Sequence, residues 1–308
     1  MQGLELAKIF YLECVLPMLE RDFPNELPRI AIGLAGRGSE CFGFDDAISR
    51  DHDFQIGVLL WITPEDDAEF GHRLMRSYCM LPKDFCKIQM RARSAGGFSE
   101  HGVCSIPDFY ERHIGTPGAP KTWREWLGTP DHAFAEATNG AVFRDDSGVF
   151  SAVREEILHG MPEDVRLKKM AARAALMAQS GQYNYARCEK RGERGAAAIA
   201  LAEFVRNAIS LVFLLNKSFA PYEKWMFRAL RALPRLGLLA DDLTRLLVEP
   251  DPSIRKADLV ESVCAKIIEE LKRQGVSDSH SDYLENHAFS MTSRIRNRDI
   301  RALHLMEG

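Results

Sequence analysis

The first 150 residues mix two kinds of hydrophobic pattern. Apolar side chains from Leu4 to Leu19 recur every three or four positions, which predicts an amphipathic helix that Pro17 bends or ends. Shorter apolar runs bounded by turn residues predict strands, and in residues 53–62 apolar and polar positions alternate. The predicted strands are 28–35, 53–62, 87–93, 102–106 and 141–148. This half therefore reads as a sheet flanked by helices.

The second half carries helical periodicity throughout. Predicted helices cover 162–179, 194–216, 221–233, 239–248, 254–273 and 281–305. The longest apolar run, 209–216, is predicted to be a buried helix because it is too short to cross a bilayer. The chain is therefore expected to be α+β, with a mixed-sheet domain at 1–150 and an α-helical bundle at 151–308.

Composition narrows the class of protein. The chain has 46% hydrophobic and 27% charged residues and a net charge of −4, so it offers no general attraction to nucleic acid, and no membrane span is expected. The seven cysteines never form a CxxC pair, which argues against a disulfide framework or a zinc cluster. The first residues lack the pattern of a secretory signal, so a cytoplasmic location is predicted.

A glycine-rich turn follows the first predicted strand. Gly36 and Gly38 let the backbone approach a ligand, and Ser39 stands at or next to the cap of a predicted helix. Free N–H groups and the dipole of such a helix favour an anion such as phosphate. The turn is not a Walker loop, because no Lys-Ser or Lys-Thr follows, and Cys41 stands where the dinucleotide fingerprint needs its third glycine.

Two carboxylates follow at the start of the second strand. Asp51 and Asp53 are two residues apart, so on a strand their side chains share one face. Hard oxygen ligands of this kind suit Mg²⁺, which binds through one or two carboxylates together with substrate phosphates. The glycine-rich turn, as a phosphate site, and the two aspartates, as Mg²⁺ ligands, are therefore expected to act together.

This order of residues resembles the nucleotidyltransferase fold of the DNA polymerase beta superfamily. The superfamily signature is Gly followed by Gly or Ser, then, after about a dozen residues, Asp-x-Asp or Asp-x-Glu on a strand; Gly38, Ser39, Asp51 and Asp53 match it. The resemblance covers roughly residues 25–150, and the helical half looks like an uncharacterised bacterial branch of putative nucleotidyltransferases. It implies transfer of a nucleoside monophosphate from a nucleoside triphosphate to a hydroxyl of a small molecule or protein, with release of pyrophosphate.

The resemblance also implies roles for particular residues. Ser39 would hold the triphosphate, and Asp51 and Asp53 would hold Mg²⁺, with Mn²⁺ as the alternative ion. ATP is the expected nucleotide. Further nucleotide contacts are expected from Arg37 and Arg50, from Lys217 or Lys224 on a phosphate, and from Tyr183 or Tyr222 stacking on a base. For each, a solvated or packing role is the alternative.

One departure from the superfamily favours a nucleotide-binding regulator as an alternative function, and an interaction protein is a separate alternative. A third carboxylate is usual on a neighbouring strand, but the predicted strand 102–106 carries Cys104 and Ser105 there, and Glu100, Asp108 and Asp145 fit poorly. The alternatives are a nucleotide-binding regulator without turnover and an antitoxin-like interaction protein. The sequence does not indicate the acceptor or the oligomeric state.

Overall fold

Two groups of residues pack separately in the computed structural model, which describes residues 2–46, 48, 56–82, 84–85, 88–89, 101–249 and 255–308. The sheet unit comprises Met1–Lys121 and Ala133–Gly160, and the helical unit comprises Thr122–His132 and Met161–Gly308. The α+β class is confirmed: one unit is built around a mixed sheet and the other from helices. The division into domains 1–150 and 151–308 stays a prediction.

A four-stranded mixed sheet organises the sheet unit, in the order β5-β2-β1-β6. Its strands are β1 (Ala31–Leu34), β2 (Leu59–Ile62), β5 (Gly102–Ser105) and β6 (Ala141–Arg144). Strand β1 is antiparallel to β2 and to β6, whereas β2 and β5 are parallel. A separate antiparallel pair is formed by β3 (Asp84–Phe85) and β4 (Ile88–Gln89).

The register brings one strand end and three strand starts to the same edge of the sheet. Leu34, at the end of β1, pairs with Ala141, and Gly33 pairs with Leu59. Leu59 pairs in turn with Gly102. We call this edge the glycine-turn edge, because the chain leaves β1 there and enters β2, β5 and β6 there.

Two layers of side chains cover the sheet, as expected when successive residues of a strand point to opposite faces. Ile32 and Leu60 belong to a buried cluster with apolar residues of the N-terminal helices, including Phe10. On the other face, the Phe150 ring stacks on the Trp61 ring at a centroid distance of 3.8 Å, and the Phe109 ring packs edge-on against Trp61. All these side chains are almost fully buried, so the sheet has a core on each face.

The helices of the sheet unit are α1 (Gly3–Phe10), α2 (Leu16–Asp22), α3 (Pro64–Asp66), α4 (His72–Cys79), α5 (Ile106–Ile114) and α8 (Val149–His159). Pro17 does not end the first helical stretch. A π-helical turn at Tyr11–Val15 joins α1 to α2, and Pro17 then lies in the first turn of α2. A first-turn N–H needs no intrahelical acceptor, so proline is tolerated there.

Two further helices lie where the chain passes between units, α6 (Trp123–Gly128) and α7 (Asp131–Thr138). The helical unit continues with α9 (Glu163–Met177), α10 (Ala186–Lys190), α11 (Arg194–Leu215), α12 (Glu223–Arg231), α13 (Leu239–Val248), α14 (Lys256–Arg273), α15 (Leu284–Ser293) and α16 (Arg298–Ala302). A π-helical segment, Ala178–Tyr185, connects α9 to α10. The single helix predicted over 281–305 is wrong: the chain breaks after α15, and the Asn297 side chain caps α16.

Helix α11 packs against α9 at the centre of the helical unit. In the described part of the chain it alone is long and apolar enough to cross a bilayer, and 67% of its apolar window is buried inside the fold. Every residue from Ile209 to Leu215 is buried, which confirms the buried helix predicted for this stretch.

Candidate functional site

The glycine-rich turn leaves β1 at the glycine-turn edge and is held there by one distant side chain. The Asn139 amide accepts a hydrogen bond from the Gly36 N–H at 2.9 Å and donates to the Gly36 carbonyl at 2.7 Å. Gly36 has a φ of +136°, which residues with a Cβ rarely adopt. The turn therefore needs glycine at its first position and Asn139 beside it.

Among the described residues, three consecutive backbone N–H groups of this turn have no hydrogen-bond partner. In the described parts of the chain, nothing accepts a hydrogen bond from the N–H of Arg37, Gly38 or Ser39. These residues are at least partly accessible to solvent. Successive free N–H groups in a turn form a concave site for an anion.

The helix predicted to begin near Ser39 is only a 3-10 turn, Glu40–Phe42. Ser39 is its N-cap residue, but its side chain makes no capping hydrogen bond. Gly43, at a φ of +66°, ends the turn. So short a turn has no useful dipole, and any anion binding here must come from the free N–H groups and nearby side chains.

A pocket of about 200 Å³ lies over the turn. It is lined by Leu34, Ala35, Gly36, Arg37, Gly38, Glu40, Cys41, Leu59, His101, Phe109, Arg112 and His113. Glu40 is buried, and a methyl group added to Gly38 would lie 2.1 Å from its carboxylate. The pocket thus combines the turn, two arginines and one buried acid.

Glu136 binds two of the pocket's basic side chains. Its carboxylate lies 3.3 Å from the Arg37 guanidinium and 3.6 Å from His113 Nδ1. The Arg37 side chain is 61% exposed. To bind a ligand, its guanidinium would have to share or break the ion pair with Glu136. The predicted phosphate contact of Arg37 stays a prediction.

Burial keeps two other groups of the sheet unit uncharged at neutral pH. Loss of solvation lowers the pKa of His101 to about 4, so the imidazole carries no positive charge at pH 7. The same cause raises the pKa of the Cys104 thiol to about 11, against a smaller opposing effect of Arg112. Arg112 and Arg37 are the two arginines in the lining of the pocket, and they carry its permanent positive charges.

Arg50, Asp51 and Asp53 lie outside the described residues. They precede Ile56, from which the chain runs through Gly57 and Val58 into β2 at the glycine-turn edge. Within the described residues no group of three His, Cys, Asp or Glu side chains could hold a metal ion. The metal and phosphate roles of these residues stay predictions.

Two of the acids considered as a third carboxylate lie at the opposite edge of the sheet. Asp108 is in the first turn of α5, which follows the end of β5, and Asp145 follows the end of β6. Asp145 accepts hydrogen bonds from the N–H groups of Gly148 and Ser151, at the start of α8. Their positions suit helix capping; the third acid considered, Glu100, lies outside the described residues.

The four nucleotide-binding candidates of the second half do not line one common cleft: Tyr183, like the two lysines, is absent from the lining of the cleft that Tyr222 lines. Lys217 is exposed just after α11, and Lys224 Nζ lies 5.0 Å from the centre of the Trp225 ring. Tyr222 lines a cleft of the helical unit that neither lysine lines. Their binding of nucleotide stays a prediction.

Sequence reasoning missed six side chains around the turn: Glu40, His101, Arg112, His113, Glu136 and Asn139. The Asn139-Gly140 pair is a turn signal before β6, but nothing in it indicates a contact with Gly36, which is 103 residues away. The other five lie on helices or beside a strand with no motif to single them out.

Comparisons with known proteins do not assign the chain to a family. A model described as a domain of unknown function, DUF4037, matches residues 126–226, which is less than half of the chain. None of the curated proteins matches. A similar solved structure is that of a nucleotidyltransferase-like protein from Exiguobacterium sibiricum 255-15, with 10% sequence identity, a TM-score of 0.39, and coverage of 92% of this chain and 81% of that chain. A likeness this distant does not identify an activity.

Proposed function

We propose that the protein binds a magnesium nucleoside triphosphate at the glycine turn and transfers its nucleoside monophosphate to an acceptor hydroxyl. The observation that carries the proposal is the row of N–H groups at Arg37, Gly38 and Ser39, which have no acceptor within the described residues. Such a row can donate hydrogen bonds to phosphate oxygens. Arg112, in the same pocket, adds positive charge.

The order of the strands supports a second part of the site next to this turn. Strand β2 begins beside the end of β1, so the chain that follows Asp51 and Asp53 enters the sheet at the edge where the turn leaves it. Two carboxylates are hard ligands that fit Mg²⁺, and we propose that Asp51 and Asp53 hold it. Bound there, the ion would neutralise charge on the triphosphate.

In the proposed reaction, the acceptor oxygen forms a bond to the α-phosphorus and the bond from that phosphorus to the bridging β-oxygen breaks. Pyrophosphate leaves with the bond's electron pair, and the hydroxyl proton passes to water. The turn's N–H groups would hold the β- and γ-phosphates, orienting the triphosphate for in-line attack. ATP is the proposed nucleotide.

The experiment compares three proteins by titration calorimetry with MgATP and by release of pyrophosphate. The wild type should bind, and the double variant Asp51→Asn/Asp53→Asn should bind at least about tenfold more weakly, since two metal ligands are lost. Asp46→Asn is the matched control, because Asp46 is an exposed acid of the same connection and its oxygen accepts from the Ile48 N–H. Failure of the wild type to bind any magnesium nucleoside triphosphate, or equal binding by the double variant, would refute the proposal.

A nucleotide-binding regulator without turnover is the second candidate function. It is favoured by the location of Asp108 and Asp145 at the opposite edge of the sheet, away from the glycine turn. The same titrations separate the two functions. Binding that depends on Asp51 and Asp53 without pyrophosphate release, across a panel of hydroxyl acceptors, would favour the regulator.

A further inference from the structure

Glu136 of α7 lies beside the glycine-turn pocket and contacts two of its basic side chains. Its carboxylate lies 3.3 Å from the Arg37 guanidinium and 3.6 Å from His113 Nδ1. Arg37 and His113 line the pocket, and Glu136 is not among the lining residues. The Glu136 side chain is 13% exposed, so water screens its charge only in part. One part-buried acid therefore holds two groups that a ligand in the pocket would meet.

Arg37 is the exposed one of these two partners. Its side chain is 61% exposed, and its own N–H belongs to the row of N–H groups at the turn. An ion pair with an exposed arginine contributes little net free energy, because water competes for both charges. A phosphate offers a guanidinium two parallel charge-assisted hydrogen bonds. A phosphate held by the N–H groups of the turn therefore competes with Glu136 for the Arg37 side chain.

His113 is enclosed by the fold. Its side chain is 6% exposed, and its ring lies 4.8 Å from that of Phe109, measured between centroids. A Cβ added to Gly36 would lie 3.8 Å from both Cε1 and Nε2 of His113, so the ring also packs against the glycine turn. Of the two partners of Glu136, the exposed Arg37 is therefore the one that a ligand can withdraw.

His113 can also replace the hydrogen bonding that Glu136 would lose. Its Nδ1 is buried and forms no hydrogen bond within the described residues, although it lies 3.6 Å from the Glu136 carboxylate. A neutral imidazole can carry its proton on Nδ1 and donate it. A small approach of the two side chains would then give Glu136 an N–H donor, which a part-buried carboxylate needs when its arginine moves away.

We infer that Glu136 competes with a bound phosphate for Arg37. Without ligand, Glu136 holds the guanidinium; when the triphosphate binds, Arg37 turns to a phosphate oxygen and His113 donates to Glu136. Glu136 is then a positioning residue that lowers the affinity of the site for its anion. The inference rests on the proposed function, because the phosphate is that of the magnesium nucleoside triphosphate at the glycine turn.

The first test measures binding of MgATP to the full chain by titration calorimetry. Glu136→Gln removes the competing charge and keeps the shape of the side chain, so it should bind MgATP about fivefold more tightly than the wild type. In an Arg37→Gln background the same substitution should improve binding by less than about twofold, since no guanidinium is left to release. Glu156→Gln is the matched control, because Glu156 pairs with the exposed Lys121 in the same unit and does not line the pocket.

A second variant tests the part assigned to His113. His113→Phe keeps an aromatic ring beside Phe109 but removes the donor for Glu136. It should weaken MgATP binding about threefold in the wild-type background, because Glu136 then loses Arg37 without a replacement. In the Glu136→Gln background it should have no effect. An equal loss in both backgrounds would mean that His113 contacts the nucleotide directly, which would overturn its assigned part.

The remaining outcomes separate this inference from the proposed function. Equal or weaker binding by Glu136→Gln, or the same gain with and without Arg37, would overturn the inference and leave nucleotide binding intact. Failure of both the wild type and Glu136→Gln to bind any magnesium nucleoside triphosphate would overturn both. Should Glu136→Gln fail to fold, a crystal structure of the wild type with a non-hydrolysable MgATP analogue decides: Arg37 should contact a phosphate oxygen, and an Arg37 still paired with Glu136 would refute the competition.

Discussion

At the scale of single residues, burial sets the charge of the glycine-turn pocket, and His101 makes this measurable. Its pKa falls from 6.5 to about 4 in the fold, because desolvation disfavours the charged ring. Between these values the unfolded chain binds a proton that the folded chain does not. The stability that the neutral ring contributes is therefore complete above pH 6.5 and is lost as the pH falls towards 4.

We predict that His101→Gln reduces the acid sensitivity of the fold. On going from pH 7 to pH 5, the free energy of unfolding should fall by about 2 kcal/mol less in the variant than in the wild type. Urea unfolding at the two pH values measures this difference. His159→Gln, at a histidine whose side chain is 78% exposed, serves as the control. An unchanged pH dependence in His101→Gln would mean that His101 already takes up its proton near pH 6.5 in the fold.

Elements with a periodic pattern could be predicted well from the sequence, whereas contacts between elements could not. The predicted helices 194–216 and 239–248 correspond closely to α11 and α13, and the predicted strand 102–106 to β5. Hydrophobic periodicity is a local property, so it marks such elements directly. The hydrogen bonds between Asn139 and Gly36 join residues that are 103 positions apart, so no local sequence pattern could predict them.

The glycine turn shows that even a single motif could be predicted only in part from the sequence. Its glycines and its position after β1 were predictable, but the length of the helix after Ser39 was not. Gly43 takes a positive φ and ends that helix after one turn, a role that glycine often has. The anion site itself stays a prediction, but the helix dipole invoked for it is wrong, because the helix expected after Ser39 is a single 3-10 turn.

Helix α7 ends beside the glycine turn, and a single arginine of α8 binds its last carbonyl groups. Arg154 donates to the carbonyl of Thr138 at 2.8 Å and 3.0 Å and to that of Asn139 at 3.2 Å. A cation at the carboxyl end of a helix satisfies free carbonyl groups and opposes the partial negative charge there. Arg154 therefore supports the residue that holds Gly36.

We predict that Arg154→Met destabilises the fold by about 1–3 kcal/mol, the cost of leaving part-buried carbonyl groups without a charged donor. Urea unfolding of the full chain measures the change. Arg21→Met is the control, since Arg21 is 71% exposed and, among the described residues, forms an ion pair with its neighbour Asp22 alone. This variant should change stability by less than about 0.5 kcal/mol. Equal stability of Arg154→Met and wild type would show that water replaces the guanidinium at these carbonyls.

At the scale of the whole molecule, two separate stretches of the chain form the helical unit. Residues Thr122–His132 belong to it, then Ala133–Gly160 return to the sheet unit before Met161 begins the rest. The first of these stretches forms an ion pair with α9: Asp131 Oδ1 lies 2.7 Å from Lys169 Nζ. Both side chains are largely buried, at 12% and 5% exposure, and Lys169 also donates to the Thr129 carbonyl at 3.2 Å.

We predict that Asp131→Asn destabilises the protein by about 3 kcal/mol, because it leaves the buried Lys169 charge without its carboxylate. Adding Lys169→Met should restore most of this loss, since an apolar side chain of similar length needs no partner. Lys266→Met is the control at an exposed ion pair, because Lys266 lies 2.7 Å from Asp242 but its side chain is 48% exposed. This variant should lose less than about 1 kcal/mol of stability. Urea unfolding of all four proteins measures these differences. If Asp131→Asn costs no more than Lys266→Met, the ion pair between Asp131 and Lys169 is not what holds residues 122–132 to α9.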